Sequence, residues 1–123
     1  MTKQDLLNYK HIKRERAQIA RLLRTAERQQ LPGDESEKLI AYYVKKQTEL
    51  TAMQLSIENA IANLEPVERM IMRMRYIEGE SWTKISFAVH YDRSTTFVIH
   101  KRTLEKLAEI KTTRGEKDEI DQM

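Results

Sequence analysis

Chain breakers are scarce in this sequence, and that scarcity constrains the fold more than any other feature. The 123 residues hold three glycines and two prolines, at positions 32, 33, 66, 79 and 115. A sheet protein needs turn residues at short, regular intervals. Residues 1–31 and 34–65 contain neither glycine nor proline. Both stretches are filled with Leu, Ala, Glu, Lys, Arg, Gln and Met, which are good helix formers. The chain is therefore expected to be all-α. Hydrophobic residues make up 40%, enough for one core of domain size. Charged residues make up 33% and mean hydropathy is −0.69, with no run near the roughly 20 apolar residues of a membrane span. No membrane partner is expected, and the charged start of the chain does not read as a signal peptide. The absence of cysteine excludes disulfides and thiolate metal sites and fits a reducing cytoplasm.

Periodicity divides the chain into five helices. Residues 3–30 read as one long helix whose apolar stripe is Leu6, Tyr9, Ile12, Ile19, Leu22, Leu23 and Ala26. Leu31-Pro32-Gly33 breaks it. Asp34 and Glu37 have the spacing of a capping box for a second long helix. In that helix Ile40, Tyr43, Gln47, Leu50, Gln54, Ile57, Ile61 and Leu64 step by three and four, a heptad-like seam carrying two glutamines. The expected arrangement of residues 1–64 is an antiparallel hairpin, with a homodimer through the same helices as a further use of the seam. Pro66 suits the first position of a third helix, with Val67, Met70, Ile71, Met74 and Ile77 inward, and Gly79 suits its left-handed end. Ser81 is placed to cap a short fourth helix with Trp82, Ile85 and Val89 inward. After His90-Tyr91-Asp92, Asp92 is placed to cap a fifth helix with Thr96, Ile99, Thr103 and Leu107 inward. Residues 112–123 are polar and acidic and are expected to form a flexible tail.

A short helix, a three-residue break and a longer helix form the helix-turn-helix pattern, expected over residues 65–111. The second helix of such a pair enters the major groove, and its first residues meet base edges. With Thr96 at the centre of the buried stripe, a rotation of about 100° per residue puts Ser94, Val98, Lys101 and Glu105 on the opposite side. Arg93 sits at the helix start with Ser94 and Thr95, and Phe97 and Arg102 flank the face. A guanidinium matches a guanine edge or a phosphate, and Phe97 and Val98 match a thymine methyl. Lys101 and Arg102 suit phosphates. Ser81, Thr83 and Lys84 open the preceding helix, where free N–H groups attract a phosphate. Residues 67–111 carry nine basic and six acidic side chains, a modest bias toward an anionic partner. The expected partner is double-stranded DNA.

Ile85 to Leu107 resembles the fourth conserved region of primary sigma factors, matching at Ile85, Asp92, Arg93, Ile99, Arg102, Leu104 and Leu107. Nearly the whole chain resembles small phage and prophage regulators of the RinA and ArpU kind. The most specific stretch is Arg75-Tyr76-Ile77-Glu78-Gly79-Glu80-Ser81-Trp82. The resemblance implies a three-helix sigma-like helix-turn-helix behind a helical hairpin. It also implies transcriptional control of late phage genes, in the cytoplasm of a bacterial host. The chain departs from that pattern at Val98, where a basic residue is expected, and at Thr96, where an aliphatic one is.

Two other readings fit the same layout. A small terminase subunit also joins a helix-turn-helix to long helices and binds viral DNA for packaging. Alternatively, the unit docks on RNA polymerase or a sigma factor. Catalysis is not expected, because the chain has no glycine-rich phosphate loop, no Ser-His-Asp arrangement and no cysteine nucleophile. His11, His90 and His100 lie far apart, so neither a metal nor a cofactor is expected.

Overall fold

The structure, a computed structural model, describes the backbone of residues 1–29, 31 and 33–121, and the side chains of these as far as Glu109. The described residues are helical, with no β-strand, so the chain is all-α. Its helices are α1 (Lys3–Leu7), α2 (Tyr9–Arg28), α3 (Glu35–Ala62), α4 (Pro66–Met72), α5 (Trp82–Val89) and α6 (Arg93–Asp121). A π-helical turn, Arg73–Ile77, continues α4. No helix among the described residues is long and apolar enough to cross a membrane. Pro32, the expected breaker, and the last two residues of the expected tail lie outside the described residues. So do the side chains of the rest of that tail.

The long first helix expected from the sequence is two helices. Thr2 caps α1, its Oγ1 accepting from the Asp5 amide at 3.2 Å while Asp5 Oδ2 accepts from the Thr2 amide at 2.9 Å. The regular ladder lapses at Asn8, where ψ opens to −10° and the side chain binds Gln4 Nε2 at 3.2 Å. Asparagine favours such local bonds over a regular helix interior. The chain divides into compact units at this residue and again within α3. Met1–Asn8 joins Ile57–Met123 in one unit, and Tyr9–Ser56 forms the other. The division therefore falls eight residues before the 64/65 boundary suggested by Pro66, and it includes the N-terminal segment in the C-terminal unit.

In the Tyr9–Ser56 unit, α2 buries Tyr9, Ile12, Ile19 and Ala26, and α3 buries Leu50. Fully burying an aliphatic side chain of this size stabilises by about 1.5–3 kcal/mol. Gln54 joins the two helices: its Oε1 accepts from Arg16 Nη1 at 2.5 Å and its Nε2 donates to the Tyr9 hydroxyl at 3.4 Å. At the turn, Ser36 Oγ accepts from the Leu31 amide at 2.8 Å, and Gly33 has the left-handed φ of 69°. The Asp34 carboxylate pairs with Lys38 at 3.3 Å.

In the other unit, Leu6, Ile57, Ile61, Leu64, Ile71, Met72, Tyr76, Ile85, Val89 and Leu107 form the core. Glu68 of α4 bonds to α6, taking Lys106 Nζ at 3.1 Å and lying 3.3 Å from the Thr103 hydroxyl. The Met1 amine donates to the Leu107 carbonyl at 3.2 Å. The inward face of α4 differs from the expected one. Met70 is 46% exposed, while Met72 and Tyr76 are buried. In the π turn the Glu78 amide bonds to the Arg73 carbonyl, five residues back, at 3.0 Å. Met72 and Tyr76, four residues apart, share one helical face with Ile71, and that face is the one turned to the core. Gly79 then ends the element in the left-handed conformation, φ 73°, as its position suggested.

Candidate nucleic-acid interface

The site is built on the α5–turn–α6 segment. Ser81 caps α5, its Oγ accepting from the Lys84 amide at 3.2 Å. The helix closes with a Schellman pair: the His90 amide bonds to Phe87 O at 3.3 Å and the Tyr91 amide to Ser86 O at 3.2 Å. This closure puts His90 in the left-handed region, φ 62° and ψ 34°. Asp92 opens α6. Its carboxylate accepts from the Thr95 amide at 2.7 Å, and hydrogen bonding by Thr95 holds the carboxyl below its ordinary range. The Thr96 hydroxyl donates to the Asp92 carbonyl at 2.7 Å. That bond lets a threonine fill a fully buried position where an aliphatic residue was expected.

An aromatic cluster ties the two helices to the π turn. Trp82 packs edge-on against Phe97, with ring centres 5.0 Å apart, and against His100 at 4.7 Å. His100 stacks on Tyr76, and its Nε2 lies 2.6 Å from the Tyr76 hydroxyl. His100 is not among the residues expected inward on this helix, but it is only 9% exposed. Burial lowers its pKa from 6.5 to about 4, and the positive charges of Lys3 and Arg75 add to the effect. Burial likewise raises the Tyr76 hydroxyl above its ordinary 10.0, partly offset by Arg75. Arg75 lies over the Trp82 ring at 4.8 Å and donates to the Glu80 carbonyl at 3.1 Å.

All ten residues proposed for contact are exposed: Ser81, Thr83, Lys84, Arg93, Ser94, Thr95, Phe97, Val98, Lys101 and Arg102. They fall into two groups. Ser94, Val98 and Lys101 lie opposite the buried Thr96, Thr103 and Leu107 stripe of α6, with Arg93, Thr95, Phe97 and Arg102 at the helix start or beside them, the Thr95 amide already engaged by the Asp92 cap. Ser81, Thr83 and Lys84 sit at the start of α5, where the Ser81 hydroxyl is engaged in its cap and Lys84 Nζ pairs with Glu80 at 3.1 Å. Among the described residues Arg93, Lys101 and Arg102 have no carboxylate within ion-pair distance, whereas Arg73 pairs with Glu78 and Lys106 with Glu68.

One exposed side chain of the segment did not enter the sequence reading. Phe87 is 83% exposed, on the side of α5 away from Ile85 and Val89, and Tyr91 is exposed in the turn. The signal was available, because a helical phase that buries Ile85 and Val89 puts position 87 outside. Comparison with family models, characterised proteins and solved structures finds no match to this chain.

Proposed function

We propose that this chain is a sequence-specific DNA-binding transcription regulator. The α5–turn–α6 segment acts as a helix-turn-helix, and the first turns of α6 enter the major groove. The observation that carries the reading is the open face of α6. Three cations there, Arg93, Lys101 and Arg102, have no acidic partner among the described residues, while Arg73, Lys84 and Lys106 of the same unit are ion-paired and Arg69 and Arg75 bond to main-chain carbonyls. Unpaired cations spaced along one helix match the spacing of phosphates and base edges along a groove. Arg93 at the N-terminus suits a guanine edge, with discrimination of about 1–3 kcal/mol. The resemblance to RinA- and ArpU-like regulators extends the proposal to late phage genes, read in the cytoplasm of a bacterial host. RNA polymerase is the downstream partner, and a homodimer through the long helices would present two reading heads to a two-fold site.

The test is selection of bound fragments from the phage or prophage genome that carries the gene, at two salt concentrations. Enrichment of one site upstream of late genes supports regulation. Enrichment at a packaging site by a ring-shaped oligomer moves the reading to the small terminase. In the variant with Arg93, Lys101 and Arg102 all changed to Ala, affinity falls, and the salt slope drops by about 0.9 for each phosphate contact removed. Unchanged binding by that variant refutes the assignment of α6 as the reading helix.

A further inference from the structure

The geometry points to Phe97 as a positioning residue that aims Arg93, rather than as a base contact in its own right. The inference rests on the proposed groove reading by α6.

The Phe97 ring is engaged on two sides within the protein. Trp82 meets it at 5.0 Å between ring centres, with planes at 73°. The Arg93 guanidinium lies over it, 5.8 Å from the ring centre. Trp82 is held in turn by His100 at 4.7 Å and by Arg75 at 4.8 Å. A chain of ring contacts therefore runs from the π turn through α5 to the first turn of α6 and ends on Arg93. Arg93 and Phe97 are four residues apart, which puts them on one face of the helix. No carboxylate among the described residues competes for the Arg93 guanidinium.

An exposed arginine at a helix start samples many rotamers, and docking it on a base requires choosing one. Stacking on Phe97 narrows that choice before DNA arrives. The ring is fixed because Trp82 fixes it. Specificity at the base read by Arg93 thus depends on an aromatic group that has no direct contact with that base. The attraction of a cation to an exposed ring corresponds to roughly a two- to fivefold effect.

The experiment uses the full chain and a pool of random-sequence duplexes. Arg93→Ala identifies the base position that Arg93 reads, as the position whose preference disappears. Phe97→Leu keeps an apolar group beside Trp82 and removes the ring face. Its expected effect is a roughly two- to fivefold loss of preference at that same position, with the other positions and the salt slope unchanged. Phe97→Tyr restores the preference and guards against a folding defect in the leucine variant. Loss of preference at a different position, or none at all, overturns the inference and leaves the groove reading standing. A second readout needs no DNA: the Arg93 Nε–H resonance carries a ring-current shift in the wild type and in Phe97→Tyr, and loses it in Phe97→Leu. A resonance unmoved by Phe97→Leu overturns the inference. If the wild-type chain selects no duplex, the groove reading and this inference fail together, whatever the resonance does.

Discussion

Acidification destabilises the unit that contains α6 in a window set by His100. The imidazole is packed between Tyr76 and Trp82, and its pKa is lowered from 6.5 to about 4. In the unfolded chain it takes a proton near 6.5, and in the folded chain only near 4. Above the unfolded value both states are neutral and the term is zero. Between the two values the unfolded state binds the proton and the folded state does not. Stability then falls by about 1.4 kcal/mol per pH unit, and the loss levels off below the folded value. From about pH 7.5 to about pH 5.5 the expected loss is about 1.3 kcal/mol; at about pH 4.5 it reaches about 2.5 kcal/mol. Trp82 is the only tryptophan in the chain and touches the His100 ring, so its fluorescence reports this unit directly. Urea unfolding followed by that signal, for wild type and His100→Gln, isolates the term because all other titrating groups are common to both. The stability gap between wild type and variant shrinks by about 1.3 kcal/mol over the upper window. A gap that stays constant with pH, or a folded-state His100 titration at 6.5 or above by NMR, refutes the reasoning.

Three further perturbations follow from the same segment. His90→Gly relieves the left-handed backbone at φ 62° and raises stability by about 0.5–1 kcal/mol, read as a higher urea midpoint at unchanged slope. Ser86→Ala removes a buried hydroxyl that has no hydrogen-bond partner among the described residues and stabilises by up to about 1 kcal/mol; a destabilised variant would show that the hydroxyl is satisfied in solution. Asp92→Ala removes the cap on the Thr95 amide and lowers the urea midpoint, with faster amide exchange confined to the first turn of α6; exchange unchanged in that turn refutes the cap's role.

The features legible in the sequence were those decided within a few residues. Gly79, Ser81 and Asp92 mark element ends through local backbone chemistry, and each occupies the predicted place. The outward phase of Ser94, Val98 and Lys101 followed from the inward phase of Thr96, Thr103 and Leu107. What escaped was decided across the chain. His100 is buried because Tyr76, 24 residues away, offers a hydroxyl to its ring nitrogen. Met72 and Tyr76 turn inward and Met70 outward, because a run of apolar residues at 70, 71, 72, 74, 76 and 77 offers two overlapping helical stripes and only the packing against the other helices selects one. The interruption at Asn8 was equally silent, since asparagine occurs inside helices as well as at their ends.

The polar inner face of α6 bears on how its outer face is presented. Thr96, His100 and Thr103 occupy positions where leucine or isoleucine would bury more apolar area. Each spends its polar group on a directional bond. Thr96 and Thr103 donate to the Asp92 and Ile99 carbonyls at 2.7 Å, bonds that stay within the helix and its cap and let small polar residues sit in the core; His100 reaches another element, meeting the Tyr76 hydroxyl at 2.6 Å. A purely apolar stripe tolerates sliding or rotation, because one aliphatic contact replaces another at little cost. Here a rotation of α6 by one residue would separate His100 from Tyr76 and leave a buried ring nitrogen unpaired, a penalty of about 1–3 kcal/mol. It would also separate Glu68 from Lys106 and Thr103. The inner face thus gives up some hydrophobic stabilisation and gains a single angular setting. That setting fixes the direction in which Arg93, Ser94 and Lys101 point, and a helix proposed to read base edges needs its side chains held in one orientation more than it needs a deeper core.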